Sequence, residues 1–167
     1  NKLSSITVPP NVTHIGDNAF ERTLLDSITF EGNHVEHIGI YAFGFTRFTS
    51  FIFPDSILNI GARAFFGTPL KYIKLGKNIQ TIGERAFDGY YIGGTPKSHL
   101  DETLVIPETV QSIGENAFAN HNALYGTLEV RAKHIGPYAF NRLRYKRLNL
   151  TGVETISNDA FAGGSDI

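Results

Sequence analysis

The chain contains no cysteine. Disulfide frameworks and thiolate metal sites are therefore excluded, and packing alone must hold the fold. Methionine is missing too, even at position 1, so the chain is expected to be a piece of a longer protein. No apolar run approaches the roughly 20 residues of a membrane-spanning helix. Charge of one sign is not in excess: 15 Lys and Arg face 16 Asp and Glu, a net charge of −1. The two signs are interspersed, with no basic stripe and no basic amphipathic stretch. This argues against nucleic acid and against direct membrane insertion. The motifs G-x-S-x-G and H-E-x-x-H are absent, as is a phosphate-binding glycine loop. The expectation is a protein that is not an enzyme and needs no cofactor, with no catalytic and no metal residues.

What the chain does have is a recurring hexad. It reads Ile15-Gly16-Asp17-Asn18-Ala19-Phe20, then Ile38-Gly39 to Ala42-Phe43 and Ile60-Gly61 to Ala64-Phe65. It returns at Ile82-Gly83 to Ala86-Phe87, Ile113-Gly114 to Ala117-Phe118, Ile135-Gly136 to Ala139-Phe140 and Ile156-Ser157 to Ala160-Phe161. Successive hexads lie 23, 22, 22, 31, 22 and 21 residues apart. A fixed period of this length is the signature of a solenoid, because such a unit cannot bury its own apolar face. Residues 1–167 read as one domain of about seven repeats, with an insertion near 90–103.

Upstream of each hexad lies an alternating pair: Ile6/Val8, Ile28/Phe30, Phe51/Phe53, Ile73/Leu75, Leu104/Ile106, Leu128/Val130 and Leu148/Leu150. Residues two apart share one side of a strand, so these pairs predict inward-facing positions. Leu3, Leu25, Phe48, Leu70 and Tyr145 stand three residues before their pairs. A further apolar column, from Val12 to Val153, stands three before the hexads. The hexad itself reads as a short helical turn. Gly or Ser stands at an N-cap, with Asp17, Glu84 and Glu115 placed where a helix dipole favours acid. Ser157 in the glycine column implies that small size, not positive φ, is required there. The Phe column should stack as an aromatic spine, each ring contributing roughly 1.5–3 kcal/mol.

The unit seen in Phe48-Thr49-Ser50-Phe51-Ile52-Phe53-Pro54 through Ile60-Gly61 to Ala64-Phe65 resembles the BspA-like, or Treponema-type, leucine-rich repeats. The resemblance covers the whole chain apart from the insertion. It implies a repeat solenoid with a single parallel β-sheet on the concave face, and short helical turns and loops on the convex face. It also implies a cell-surface or secreted protein that adheres to host matrix or cell-surface proteins. The family often has Cys or Asn three residues after the Phe. Here Thr23, Thr46 and Thr68 occupy that column, and three consecutive Thr predict a short hydrogen-bonded ladder.

Outward strand positions should form two columns on the concave face. One runs Thr7, Thr29, Ile52, Lys74, Val105, Glu129, Asn149; its neighbour runs Ser5, Ser27, Ser50, Tyr72, Thr103, Thr127, Arg147. Thr, Val and Ile also suit any exposed strand. The informative members are Ile52, Tyr72, Lys74, Val105, Glu129 and Arg147, a mixed apolar, aromatic and charged set of the kind that anchors proteins or glycoproteins. Tyr90 and Tyr91 on the insertion, read as a loop, form a second candidate contact. His14, His37 and His134 share a column that otherwise holds Asn59, Thr81, Ser112 and Thr155. They read as solvated polar residues, with Glu36 turned away from His37. The alternative to an adhesive module is a spacer solenoid that presents another domain and has no ligand of its own.

Overall fold

The computed structural model describes residues 3–89, 97–121 and 123–164, with the side chains of 97–101 and 123–124 outside that description. The chain winds as a parallel β-solenoid in which each coil contributes a long strand and a two-residue strand. The long strands are β1 (Ser5–Val8), β3 (Ser27–Phe30), β5 (Ser50–Ile52), β7 (Tyr72–Lys74), β9 (Lys97–Ile106), β11 (Ala123–Val130) and β13 (Arg144–Leu150). The short ones are β2 (His14–Ile15), β4 (His37–Ile38), β6 (Asn59–Ile60), β8 (Thr81–Ile82), β10 (Ser112–Ile113), β12 (His134–Ile135) and β14 (Thr155–Ile156).

The long strands pair in register as β1-β3, β5-β7 and β9-β11-β13, all parallel. The face they line is therefore built from three ladders rather than one. The unbroken ladder is the seven-stranded one of short strands, running from β2 to β14. Inside lie Phe51, Phe53, Ile73, Leu104, Ile106, Leu128 and Val130, together with the column Val35, Ile57, Ile79, Val110 and Ala132, all buried. The Phe column stacks through the whole solenoid, with centroids 5.5, 5.2, 5.4, 4.9, 5.2 and 5.2 Å apart from Phe20 to Phe161. Only its first and last rings are partly exposed.

No helix occurs among the described residues, so the helical turns expected from the hexad are replaced by something else. The Ile of each hexad belongs to a short strand, and the four residues after it form a β-turn. In the first coil the Ala19 N–H donates to the Gly16 carbonyl at 3.3 Å, and Asn18 between them has φ of +55°. The same positive φ recurs at Tyr41, Arg63, Arg85, Asn116, Tyr138 and Asp159. A helix cannot contain that conformation, which costs an L-residue about 1–2 kcal/mol. The turns hold it because they bond to the next coil. Asn18, Phe20 and Arg22 donate to the carbonyls of Ile40, Ala42 and Gly44, each at 2.8 Å.

The hexad glycines adopt no positive φ; they are small because coils meet there. A Cβ on Gly83 would lie 2.5 Å from the Ala62 nitrogen and 2.7 Å from the Gly61 carbonyl carbon, both backbone atoms that cannot move aside. Gly16, in the first coil, has nothing within 4 Å of the same point. Gly83→Ala should therefore cost about 1–3 kcal/mol. Gly16→Ala should stay within about 0.5 kcal/mol of the parent. Urea denaturation of both variants decides, and equal losses would mean that contact between coils is not what selects glycine.

The Thr column forms no ladder from coil to coil. Thr23, Thr46 and Thr68 each donate to the carbonyl of the Phe three residues earlier, Phe20, Phe43 and Phe65, at 2.8, 2.8 and 2.7 Å. Each hydroxyl thus closes its own turn instead of reaching a neighbour.

Candidate binding face

Parallel, in-register pairing turns the variable strand positions into a surface. Ile52 pairs with Lys74, and Ser50 with Tyr72, across β5 and β7. Val105, Glu129 and Asn149 align across β9, β11 and β13, as do Thr103, Thr127 and Arg147. The fold thus brings Ile52, Tyr72 and Lys74 into one patch. Val105, Glu129 and Arg147 lie on a second ladder, reached through the contact between β7 and β9. Ile52 is 63% exposed, the most exposed large apolar side chain among the described residues. Lys74, Val105 and Arg147 are also exposed, and Tyr72 is half-buried.

Glu129 is not open for a ligand. Its Oε1 accepts from Arg131 Nε at 2.9 Å and from Arg131 Nη2 at 2.6 Å. The sequence held a signal for this pair: opposite charges two apart where the alternating strand pattern ends. Tyr90 and Tyr91 lie outside the described residues. The later part of the insertion, from Lys97, is not loop: it continues β9, and Lys97 to His99 pair with Ala123 to Tyr125 of β11.

The histidines of this column are exposed or half-buried, as expected, and they touch their column neighbours. The His14 and His37 rings stack at 4.4 Å. His37 Nδ1 contacts Asn59 Nδ2 at 3.0 Å, and Thr81 donates to Asn59 Oδ1 at 2.6 Å. Glu36 Oε2 comes within 3.9 Å of His37 Nε2, so its side chain does not turn away. No three His, Asp or Glu side chains converge as a metal site among the described residues.

Two features lay beyond the sequence reading. On the turn face, Phe66 meets Phe45 at 5.4 Å and Tyr41 at 6.1 Å. Arg22 lies 4.8 Å over the Phe45 ring and Arg63 5.9 Å over the Tyr41 ring. The cations cover these rings and satisfy their faces. Inside, His121 occupies the Thr column and Tyr125 the consensus leucine position of its coil, both buried. Their rings stack at 6.1 Å. Neither His121 nitrogen finds a hydrogen-bond partner among the described residues, and the Tyr125 hydroxyl lies against the Ile73 backbone without a well-formed bond. Burial pushes the His121 pKa down to about 4 and the Tyr125 hydroxyl up.

The surface is a strand face of in-register ladders with mixed side chains, an arrangement suited to recognition. Comparison with known proteins agrees on architecture. The family model of the BspA type leucine rich repeat region matches residues 1–92 and 98–167, in 6 copies. The crystal structure of the pneumococcal vaccine antigen PcpA is similar, with a TM-score of 0.64 at 24% identity, over 96% of this chain and 48% of that one. At that identity the likeness shows the fold. A leucine-rich repeat protein from Eubacterium ventriosum aligns with a TM-score of 0.44 at 19% identity, over 96% of this chain and 57% of its own. One from Bacteroides ovatus aligns at 0.44 and 16%, over 96% and 64%. The chain thus spans about half the length of PcpA and under two thirds of the other two. No curated protein matches the sequence.

Proposed function

The chain belongs to the BspA-type leucine-rich repeat family, a protein-interaction fold, and from that premise we propose that it is a non-enzymatic binding module of a cell-surface or secreted protein, adhering to host matrix or cell-surface proteins. The observation that carries this reading is the contrast between an almost invariant interior and a variable strand face. The spine is Phe in every coil, while the central outward column runs Thr, Thr, Ile, Lys, Val, Glu, Asn. Selection for fold alone would fill that column with β-formers, and Lys74, Glu129 and Asn149 are not among them. Ile52, 63% exposed beside Lys74, with Tyr72 on the same strand pair, gives the patch an apolar centre that a partner can cover. Buried aromatic and aliphatic anchors surrounded by polar groups dominate protein recognition. Here Tyr72 and Ile52 are the anchors, with Ser50 and Lys74 paired to them across β5 and β7.

The test is a triple variant, Ile52→Ser, Tyr72→Ser and Lys74→Glu, displayed within its parent protein on cells. None of the three side chains belongs to the core, so the unfolding midpoint should hold. Attachment to immobilised matrix proteins should fall by about tenfold or more, as expected for loss of an interface anchor. Undiminished attachment by the triple variant, with loss on deleting residues 91–99, would move the site to the insertion. Undiminished attachment by both would leave the solenoid as a spacer.

A further inference from the structure

The near-neutral net charge conceals a segregation along the solenoid axis. The first sixty residues carry six carboxylates against three Lys and Arg. Between Glu129 and Glu154 there is no carboxylate at all, while Arg131, Lys133, Arg142, Arg144, Lys146 and Arg147 supply six cations. The fold places these on its last two coils. Arg142 and Arg144 stand where the chain enters β13, Lys146 and Arg147 lie along that strand, and Arg131 follows β11 at the opposite rim. Arg131, Lys133, Arg142, Lys146 and Arg147 are exposed. Among the described residues, Lys133, Arg142, Lys146 and Arg147 meet no carboxylate within ion-pairing distance.

Strand residues rise about 3.3 Å each, so Arg144 to Arg147 span only about 10 Å. That is close to one Debye length at physiological salt, so the cations repel one another without full screening. A linear anion laid along the strip relieves that repulsion and releases its own counterions, a gain that grows with each charge matched. Four of the six cations are arginine, whose planar fork bonds tetrahedral oxyanions in pairs.

We propose that the strip formed by Arg142, Arg144, Lys146 and Arg147, at the entry to β13 and along it, binds a sulfated polysaccharide. Arg131 is held by Glu129 and Lys133 stands beside Glu154 of the next coil, so neither is counted in it. Nucleic acid fits less well. Single strands need free aromatic platforms along the groove, yet Tyr145, the aromatic residue of β13, packs against the core. A duplex groove needs a projecting element, and this face is built of strands within a ladder. The site is separate from the Ile52 patch, so it stands whether or not that patch binds protein.

The test titrates the purified chain with a sulfated octasaccharide by calorimetry at two salt concentrations. The same titration is run with its desulfated form and with a single-stranded oligonucleotide of equal charge. The double variant Arg142→Glu/Lys146→Glu should weaken the sulfated ligand about tenfold or more and flatten the salt dependence. The control Arg22→Glu/Lys77→Glu, the same charge change elsewhere, should leave affinity within about twofold. Circular dichroism confirms folding, and if the reversal perturbs it, Arg147→Gln/Lys146→Gln takes its place. No binding, equal binding of the desulfated form, equal loss in the control, or tighter binding of the oligonucleotide would each overturn the proposal.

Discussion

Phe65→Ala should destabilise the solenoid by about 3–5 kcal/mol, the range for truncating a fully buried Phe. The ring is completely buried. It stacks on Phe43 at 5.2 Å and Phe87 at 5.4 Å, and meets Phe51 and Phe53 edge-on at 4.7 and 5.4 Å. Removing it forfeits transfer free energy and opens a cavity that cannot close, because the backbone on both sides is fixed by bonds between coils. Phe87, which contacts Phe53, Phe65 and Phe118, should behave alike. Phe161, partly exposed at the last coil, should cost less. Chemical denaturation monitored by circular dichroism measures this. A loss below about 1 kcal/mol at both Phe65 and Phe87 would be incompatible with the packing described.

Lowering the pH should cost the protein about 3 kcal/mol through His121 alone. Its pKa is about 4 in the fold because burial opposes the charged form, against an ordinary value of 6.5. Below pH 6.5 the unfolded chain takes up a proton that the native one does not, so stability falls as pH drops, and the full loss is reached below pH 4. The step from 6.5 to about 4 corresponds to about 3 kcal/mol. Above pH 6.5 this contribution is flat. His121→Leu fills a similar volume, removes two ring nitrogens that no described residue bonds, and removes the proton. It should therefore be at least as stable as the parent at pH 8 and pull ahead progressively between pH 6.5 and 4. Unfolding free energies across that range give the comparison. Parallel curves for parent and variant would place a charged or solvated imidazole at this position.

The sequence disclosed the solenoid because each coil repeats its buried positions in phase. Even the partner of each outward residue followed, since parallel coils of near-constant length align like positions. Ile52 beside Lys74 and Tyr72 beside Ser50 were legible on that basis. The turn was not. Asn18, Asn116 and Asp159 are types that tolerate a left-handed backbone, but Tyr41, Arg63, Arg85 and Tyr138 hold the same position and hide the rule. With glycine before them and acids near the start, the hexads match a helix N-terminus locally; only bonding to the next coil overrides that preference. Arg131 escaped notice because it lies one step past the two columns considered. Tyr125 stands in phase, three residues before Leu128 and in register with Tyr145, so its inward place was legible; its lack of a well-formed hydrogen bond was not. The cationic strip was masked by a whole-chain charge balance that averages two ends of opposite sign.

The left-handed turns carry a consequence for how the rod comes apart. Bulky residues such as Tyr41 and Arg63 have no intrinsic reason to sit at positive φ; their backbone conformation is borrowed from the neighbouring coil, whose carbonyls accept their N–H groups. A coil that loses its neighbour loses the support for its own turn, and with it the geometry that seats its Phe. Melting should therefore advance by whole coils from either end, in steps of one repeat, with the phenylalanine-rich coils around Phe51 and Phe65 surviving longest. Such a rod behaves as a one-dimensional chain of coupled two-state units, in which coil identity matters less than coil adjacency.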